Sequence, residues 1–130
     1  SLESSAAPKL KKEEGHIDWS KSSLEIINLY RAFQPWPRTF SDWIPQSSPD
    51  SRLRLILGPF VPVNEEEMET EDLNPQILPG CVLKVTKDEL VIKTGDSALQ
   101  VIKVQPSVKK TLYVQEFLRG YDIQPGDLLQ

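Results

Sequence analysis

The 130-residue chain predicts a mainly β fold: a small antiparallel barrel, closed or nearly so, with a helix near its N-terminus and a short helix late in the chain. Three observations lead there. The one strong helical period is confined to residues 22–33, apolar and polar residues alternate from Phe40 onward, and Gly, Pro and Asp residues cut that second region into about five short strands. Closing such strands on one another removes exposed sheet edges, which favours a barrel. At this length and 38% hydrophobic composition the chain can fill one core but not two.

Residues 1–16 are small, polar and charged without a sustained apolar period, and are read as a linker or tail continuing from something upstream. The barrel domain is assigned to 17–130. Ser22 followed three residues later by Glu25 forms a capping box, and Ile26, Leu29, Tyr30 and Phe33 then supply one apolar helix face. Pro35 and Pro37 stop the helix. Trp19 and Trp36 are read as core anchors. Phe40 and Trp43 lie in a strand, a turn starts at Pro45, and Leu53, Leu55 and Leu57 alternate with Arg52, Arg54 and Ile56. Gly58 to Gly80 reads as a long, acidic, exposed excursion. Strands follow at Val82–Thr86, Leu90–Thr94 and Leu99–Val104, turning at Lys87-Asp88 and Gly95-Asp96, and a short helix over Val114–Arg119 ends at Gly120.

The net charge of -4 conceals an asymmetry. Residues 65–72 hold six acids and no base, which leaves 15 bases against 13 acids elsewhere; from Cys81 to Arg119 there are seven bases and four acids. This is a mild basic bias, short of the dense stripe that identifies a nucleic-acid binder by itself. One cysteine excludes an internal disulfide, and Cys81 reads as a small buried hydrophobe. One His with one Cys does not make a structural metal site. His16 sits in a polar, solvated segment without a nucleophile motif, and the six glycines form no phosphate cradle. Catalysis is therefore not expected of this chain, and no run is long enough to span a membrane.

The stretch Ile17-Asp18-Trp19-Ser20, then Arg31-Ala32-Phe33, then Pro35-Trp36-Pro37, resembles the entry to the C-terminal domain of methionyl-tRNA formyltransferases. Thr94, Gly95, Asp96, Ala98 and Leu99, followed by Gln105, Pro106, Lys109, Lys110, Gln115, Glu116, Phe117 and Leu118, extend that resemblance over nearly the whole chain, with a gap at about 50–78. It implies a barrel of the oligonucleotide-binding (OB-like) type. It also implies that this is the tRNA-binding half of an enzyme whose upstream domain transfers a formyl group from 10-formyltetrahydrofolate. Initiator methionyl-tRNA and that upstream domain are the implied partners. The fragment itself is expected to bind no cofactor, to be inactive alone, and to be a soluble monomer of a bacterial cytoplasm or an organellar matrix.

The tRNA-contact candidates are Lys109 and Lys110, matching paired lysines after Gln-Pro, the linker residues Lys9, Lys11 and Lys12, and Arg38. Arg31 either touches phosphate or buttresses Asp18 or the helix end. Val108 stands where the resembled domains usually carry glycine, and Tyr113 where they carry a small cap residue. The acidic run must face away from tRNA if the domain binds it. Two alternatives stay open: the same domain in a sugar-amine formyltransferase or formyltetrahydrofolate hydrolase, and a stand-alone protein-interaction barrel.

Overall fold

The computed structural model describes residues 12–36, 38–68, 72, 74–107 and 109–130. Helix α1 spans Ser23–Ala32, and its capping box is formed: the Ser22 hydroxyl accepts the Glu25 N–H at 3.1 Å while the Glu25 carboxylate accepts the Ser22 N–H at 3.2 Å. The buried face is Ser23, Ile26 and Ile27, with Phe33 closing the end and Tyr30 half-buried. Ile27 thus takes a share of the face that the i, i+3 pattern gave to Leu29.

The strands are β1 (Phe40–Ile44), β2 (Leu53–Leu57), β3 (Phe60–Pro62), β4 (Val82–Val85), β5 (Leu90–Lys93), β6 (Ala98–Val101), β7 (Lys103–Pro106), β8 (Leu112–Tyr113) and β9 (Leu128–Leu129), with helix α2 at Val114–Gly120. All ladders between these strands are antiparallel. They form a five-stranded sheet, β8-β7-β2-β1-β9, and a four-stranded sheet, β3-β6-β5-β4. The mainly β class with an early and a late helix is as expected, but the ladder is two sheets rather than one closed cylinder. The sheets meet at two seams. At one, Gly58 N–H donates to Lys103 C=O and Ile102 N–H to Pro59 C=O; at the other, Val82 N–H donates to Asp127 C=O and Leu129 N–H to Gly80 C=O.

The segment read as one strand over Leu99–Val104 is two strands, broken at Ile102. Val101 and Val104 are both fully buried although three residues apart, so one residue has been inserted into the period of two. β6 serves one sheet and β7 the other. The excursion from Gly58 also differs from expectation, because β3 lies within it and Phe60 is a core residue, with Trp19 and Tyr30 edge-on to its ring at 6.2 and 5.9 Å. Gly58, at φ 125°, is where Tyr30 lies against the backbone: a methyl group there would overlap the ring.

One continuous core fills the space between the sheets. It includes Trp19, Ile26, Leu55, Leu57, Ile92, Leu99, Val104 and Phe117. Trp19 is a core anchor as expected, 3% exposed with its indole N–H on Ser41 Oγ at 3.0 Å. Trp36 is not: it is 59% exposed, because the chain turns away from the core after Phe33. Cys81 is half-buried, and burial pushes its thiol above its ordinary pKa. His16 is exposed as expected, and it is also stacked on Phe40 at 5.0 Å, with its Nε2 2.9 Å from the Gln130 carbonyl oxygen. No helix among the described residues is long and apolar enough to cross a membrane.

Asp127 closes the C-terminal end. Only 3% exposed, its carboxylate accepts the Trp43 indole N–H at 2.9 Å and the backbone N–H groups of Gln46 at 2.9 Å and Gln124 at 3.0 Å. Asp127→Ala leaves three donors without an acceptor and is expected to destabilise the fold by about 2–4 kcal/mol, read as a lower urea midpoint at unchanged slope. A midpoint within experimental error of wild type would contradict this account.

Asp96 ties the β5–β6 turn to the start of α1. Its carboxylate accepts the Ser23 backbone N–H at 2.9 Å and the Thr94 hydroxyl at 3.1 Å. The Ser23 bond is the main reason its pKa lies below the ordinary 3.8. Asp18 is lowered in the same direction, first by the Ser20 hydroxyl and then by the Ser20 amide. A carboxylate with a lowered folded-state pKa stabilises the fold above its unfolded value and loses that contribution as pH falls through the folded one. Melting temperature is therefore expected to drop below about pH 4, and Asp96→Asn to flatten that drop while lowering the value at neutral pH. An acid limb identical in wild type and variant would overturn the assignment.

Candidate nucleic-acid interface

Strand alternation decides which charged residues reach the outer face of the five-stranded sheet. In β2, Leu55 and Leu57 point into the core and Arg54 points out, beside Asp42 of β1. In β7, Val104 points in, so Lys103 and Gln105 point out. Arg54 lies over the Phe40 ring at 4.3 Å and Lys103 Nζ lies 5.0 Å from the Tyr113 ring centroid. Asp42 neutralises part of this face, pairing with Arg52 at 3.3 Å and Arg54 at 3.1 Å. Both arginines are half-exposed there, so the pairs contribute little to stability.

Arg38 and the paired lysines, 71 residues apart in sequence, are brought together by Gln105. The Arg38 guanidinium donates from Nη1 to Gln105 Oε1 at 2.6 Å, and the Thr111 hydroxyl donates to the same oxygen at 3.0 Å. Gln105 Nε2 donates to the Lys109 carbonyl at 2.7 Å. The loop is further fixed by Lys109 N–H to Pro106 C=O at 3.0 Å and Ser107 N–H to Arg54 C=O at 3.0 Å. Lys109 and Lys110 are exposed, and no ion pair engages either among the described residues.

The linker candidates fare differently. Lys9 and Lys11 lie outside the described residues, as do Val108 and the Lys12 side chain. The Lys12 backbone opens a 3-10 turn over Lys12–Gly15 that runs against Arg38: a methyl group on Gly15 would overlap the Arg38 carbonyl. Glu13 and Glu14 sit in that turn, so the linker end of the surface is of mixed sign. Arg31 is exposed in the last turn of α1, where a cation suits the helix end, while Asp18 bonds Ser20 instead.

Two described acids of the excursion lie elsewhere. Glu67 and Asp72 border a shallow depression with Lys84, Val91 and Gln100, neighbours on the outer face of the four-stranded sheet. The Lys109–Lys110 loop closes the other sheet, so the acids described are not its counterions. Sequence reasoning missed Lys103, Arg54 and Tyr113 as members of the basic face. Arg54 was readable from its alternation with Leu53 and Leu55; Lys103 was not, because the break at Ile102 reverses its side. Tyr113 makes no side-chain cap bond to α2 and is 54% exposed. Among the described residues no group of three or more His, Cys, Asp or Glu is placed to hold a metal.

Comparison with known proteins agrees with this architecture. Residues 9–122 match the family model described as "Formyl transferase, C-terminal domain". The methionyl-tRNA formyltransferase of Magnetococcus marinus is 37% identical over 123 residues, covering 95% of this chain and 34% of that protein. That of Caldanaerobacter subterraneus subsp. tengcongensis is 33% identical, covering 98% and 36%. The chain thus spans about a third of the length of the curated relatives it matches. Among solved structures, HypX from Aquifex aeolicus in complex with tetrahydrofolic acid superposes with a TM-score of 0.59 at 20% identity, over 92% of this chain and 20% of that one, a likeness of fold. On the family match and the breadth of these alignments, the chain belongs to the formyl transferase C-terminal domain family.

Proposed function

We propose that this chain is the tRNA-binding domain of a methionyl-tRNA formyltransferase, holding initiator methionyl-tRNA for N-formylation by an upstream catalytic domain during translation initiation. The observation that carries the reading is the joining of half-buried Arg38, through one glutamine, to the loop that carries exposed Lys109 and Lys110, on the other sheet from Glu67 and Asp72. It is supported by the names of relatives such as those of Magnetococcus marinus and Caldanaerobacter subterraneus subsp. tengcongensis, methionyl-tRNA formyltransferases at 37% and 33% identity. The domain works by charge and placement. Lysine and arginine side chains neutralise phosphates and release counterions, which supplies affinity and orientation without reading sequence. A tRNA held this way presents its aminoacyl amine to a reaction occurring in another domain, replacing a second-order encounter by a first-order one. The donor, 10-formyltetrahydrofolate, belongs in this reading to the upstream domain, and no residue of this chain is given a part in holding it. A monomer of the bacterial cytoplasm or an organellar matrix is the corresponding setting.

The test is a titration of the chain with initiator tRNA across a range of salt concentrations. Log affinity is expected to fall linearly with log salt, and Lys109→Ala with Lys110→Ala to reduce that slope by about 1–2. Binding indifferent to salt, or to loss of both lysines, refutes the reading and favours a related enzyme acting on a small-molecule amine.

A further inference from the structure

We infer that Gln105 is a positioning residue for polyanion binding: its amide locks the Lys109–Lys110 loop to Arg38, so that three separate cations act as one preorganised site. The inference rests on the tRNA-binding reading and adds to it a residue that carries no charge.

The amide group suits the task because it offers both hydrogen-bond characters at one position. Oε1 accepts from Arg38 and from Thr111, while Nε2 donates to the Lys109 carbonyl. A carboxylate could serve the first two partners but would repel the third. Gln105 is itself fixed by its strand, paired opposite Ile56 of β2 in the interior of the five-stranded sheet. Arg38 is fixed as firmly. Its backbone is held at φ 71°, a left-handed conformation uncommon outside glycine, with its N–H on the Phe33 carbonyl at 2.8 Å and Gly15 packed against its own carbonyl. A side chain held at such a backbone site calls for a surrounding structure that over-determines it. The lysine loop, by contrast, follows the last residue of β7 and depends on a few bonds for its position. Without the Gln105 amide, the loop would have to be ordered at the moment of binding, and that cost would appear as lost affinity.

The expected effects follow from what remains in each variant. Gln105→Met keeps the length of the side chain and every charge of the site but removes all three bonds. It is expected to weaken initiator tRNA binding about tenfold at fixed salt and to lower the salt slope toward that of the double lysine variant. In the Lys109→Ala, Lys110→Ala background the same substitution is expected to change affinity less than twofold, because the loop no longer carries the contacts being positioned. Thr111→Val, at an exposed position, removes one bond without threatening the fold, and about a two- to threefold loss confined to the background that retains both lysines is expected. Equal losses in both backgrounds, or binding by Gln105→Met within twofold of wild type at an unchanged slope, overturn the inference. If the double lysine variant binds normally, the tRNA reading falls and this inference with it. If that variant is weakened while Gln105→Met and Thr111→Val are not, the inference alone fails.

Discussion

The break at Ile102 is the constraint on which the rest of the structure turns. A strand that kept a period of two from Leu99 to Val104 would send Leu99, Val101 and Lys103 to one side. Burying a lysine with two core residues is costly unless its charge is paired. One inserted residue resolves the conflict. Leu99 and Val101 stay in the core on one side of the break, Val104 enters it on the other, and Lys103 and Gln105 turn outward. The same residue transfers the chain from the four-stranded sheet to the five-stranded one, so core filling and the location of the basic face share one cause. Ile102 stays tied on both sides, its N–H on Pro59 and its C=O accepting from Val114.

Buried polar groups then fix the frame around that break. Asp127 joins Trp43, Gln46 and Gln124; Ser23 joins Thr94 and Ala98; Trp19 joins Ser41. All of these except Asp127 with Gln124 link segments far apart in sequence, and each would be expensive to leave half made. They specify which strands meet, where apolar contact alone would tolerate slippage. The rigid frame matters because the basic cluster is mounted on it. Gln105 stands on an interior strand, and only the loop beyond it depends on side-chain bonds for its place.

How much of this was legible in the residues depends on whether the signal was local. The α1 capping box, the alternation of β2, the turns at Lys87-Asp88 and Gly95-Asp96 and the late helix all rest on neighbours within a few positions, and all are present. Phe60 within the excursion was hidden because a three-residue strand that follows Pro59 and ends at Pro62 has no visible period; only its pairing with β6 makes it a strand. Trp36 was misjudged because a large aromatic side chain near a helix end favours the core on average, whereas the chain's direction after Phe33 decides the case. Lys109 and Lys110 were identifiable as candidates from the resemblance, and Arg38 was named beside them, but nothing in one dimension could show that Gln105 joins Arg38 to the lysine loop. Lys103 was masked by the break that the alternation itself concealed.

The charge distribution reconciles an acidic chain with the polyanionic partner proposed for it. Electrostatic attraction at a contact depends on charges within about one Debye length, roughly 8 Å at physiological ionic strength. Two packed sheets are separated by about 10 Å, and the outer faces are farther apart still. Glu67 and Asp72 of the excursion lie over the four-stranded sheet, so their repulsion is largely screened at the Lys109–Lys110 loop. Asp42 is nearer, but each oxygen of its carboxylate is engaged by an arginine of the same face. A polyanion arriving at this surface therefore meets the local excess of positive charge, while the net charge of -4 acts on the molecule at longer range. The same separation makes the approach directional: from the side of the four-stranded sheet a phosphate backbone meets Glu67 and Asp72 first, so a polyanion bound as proposed is confined to one face of the domain.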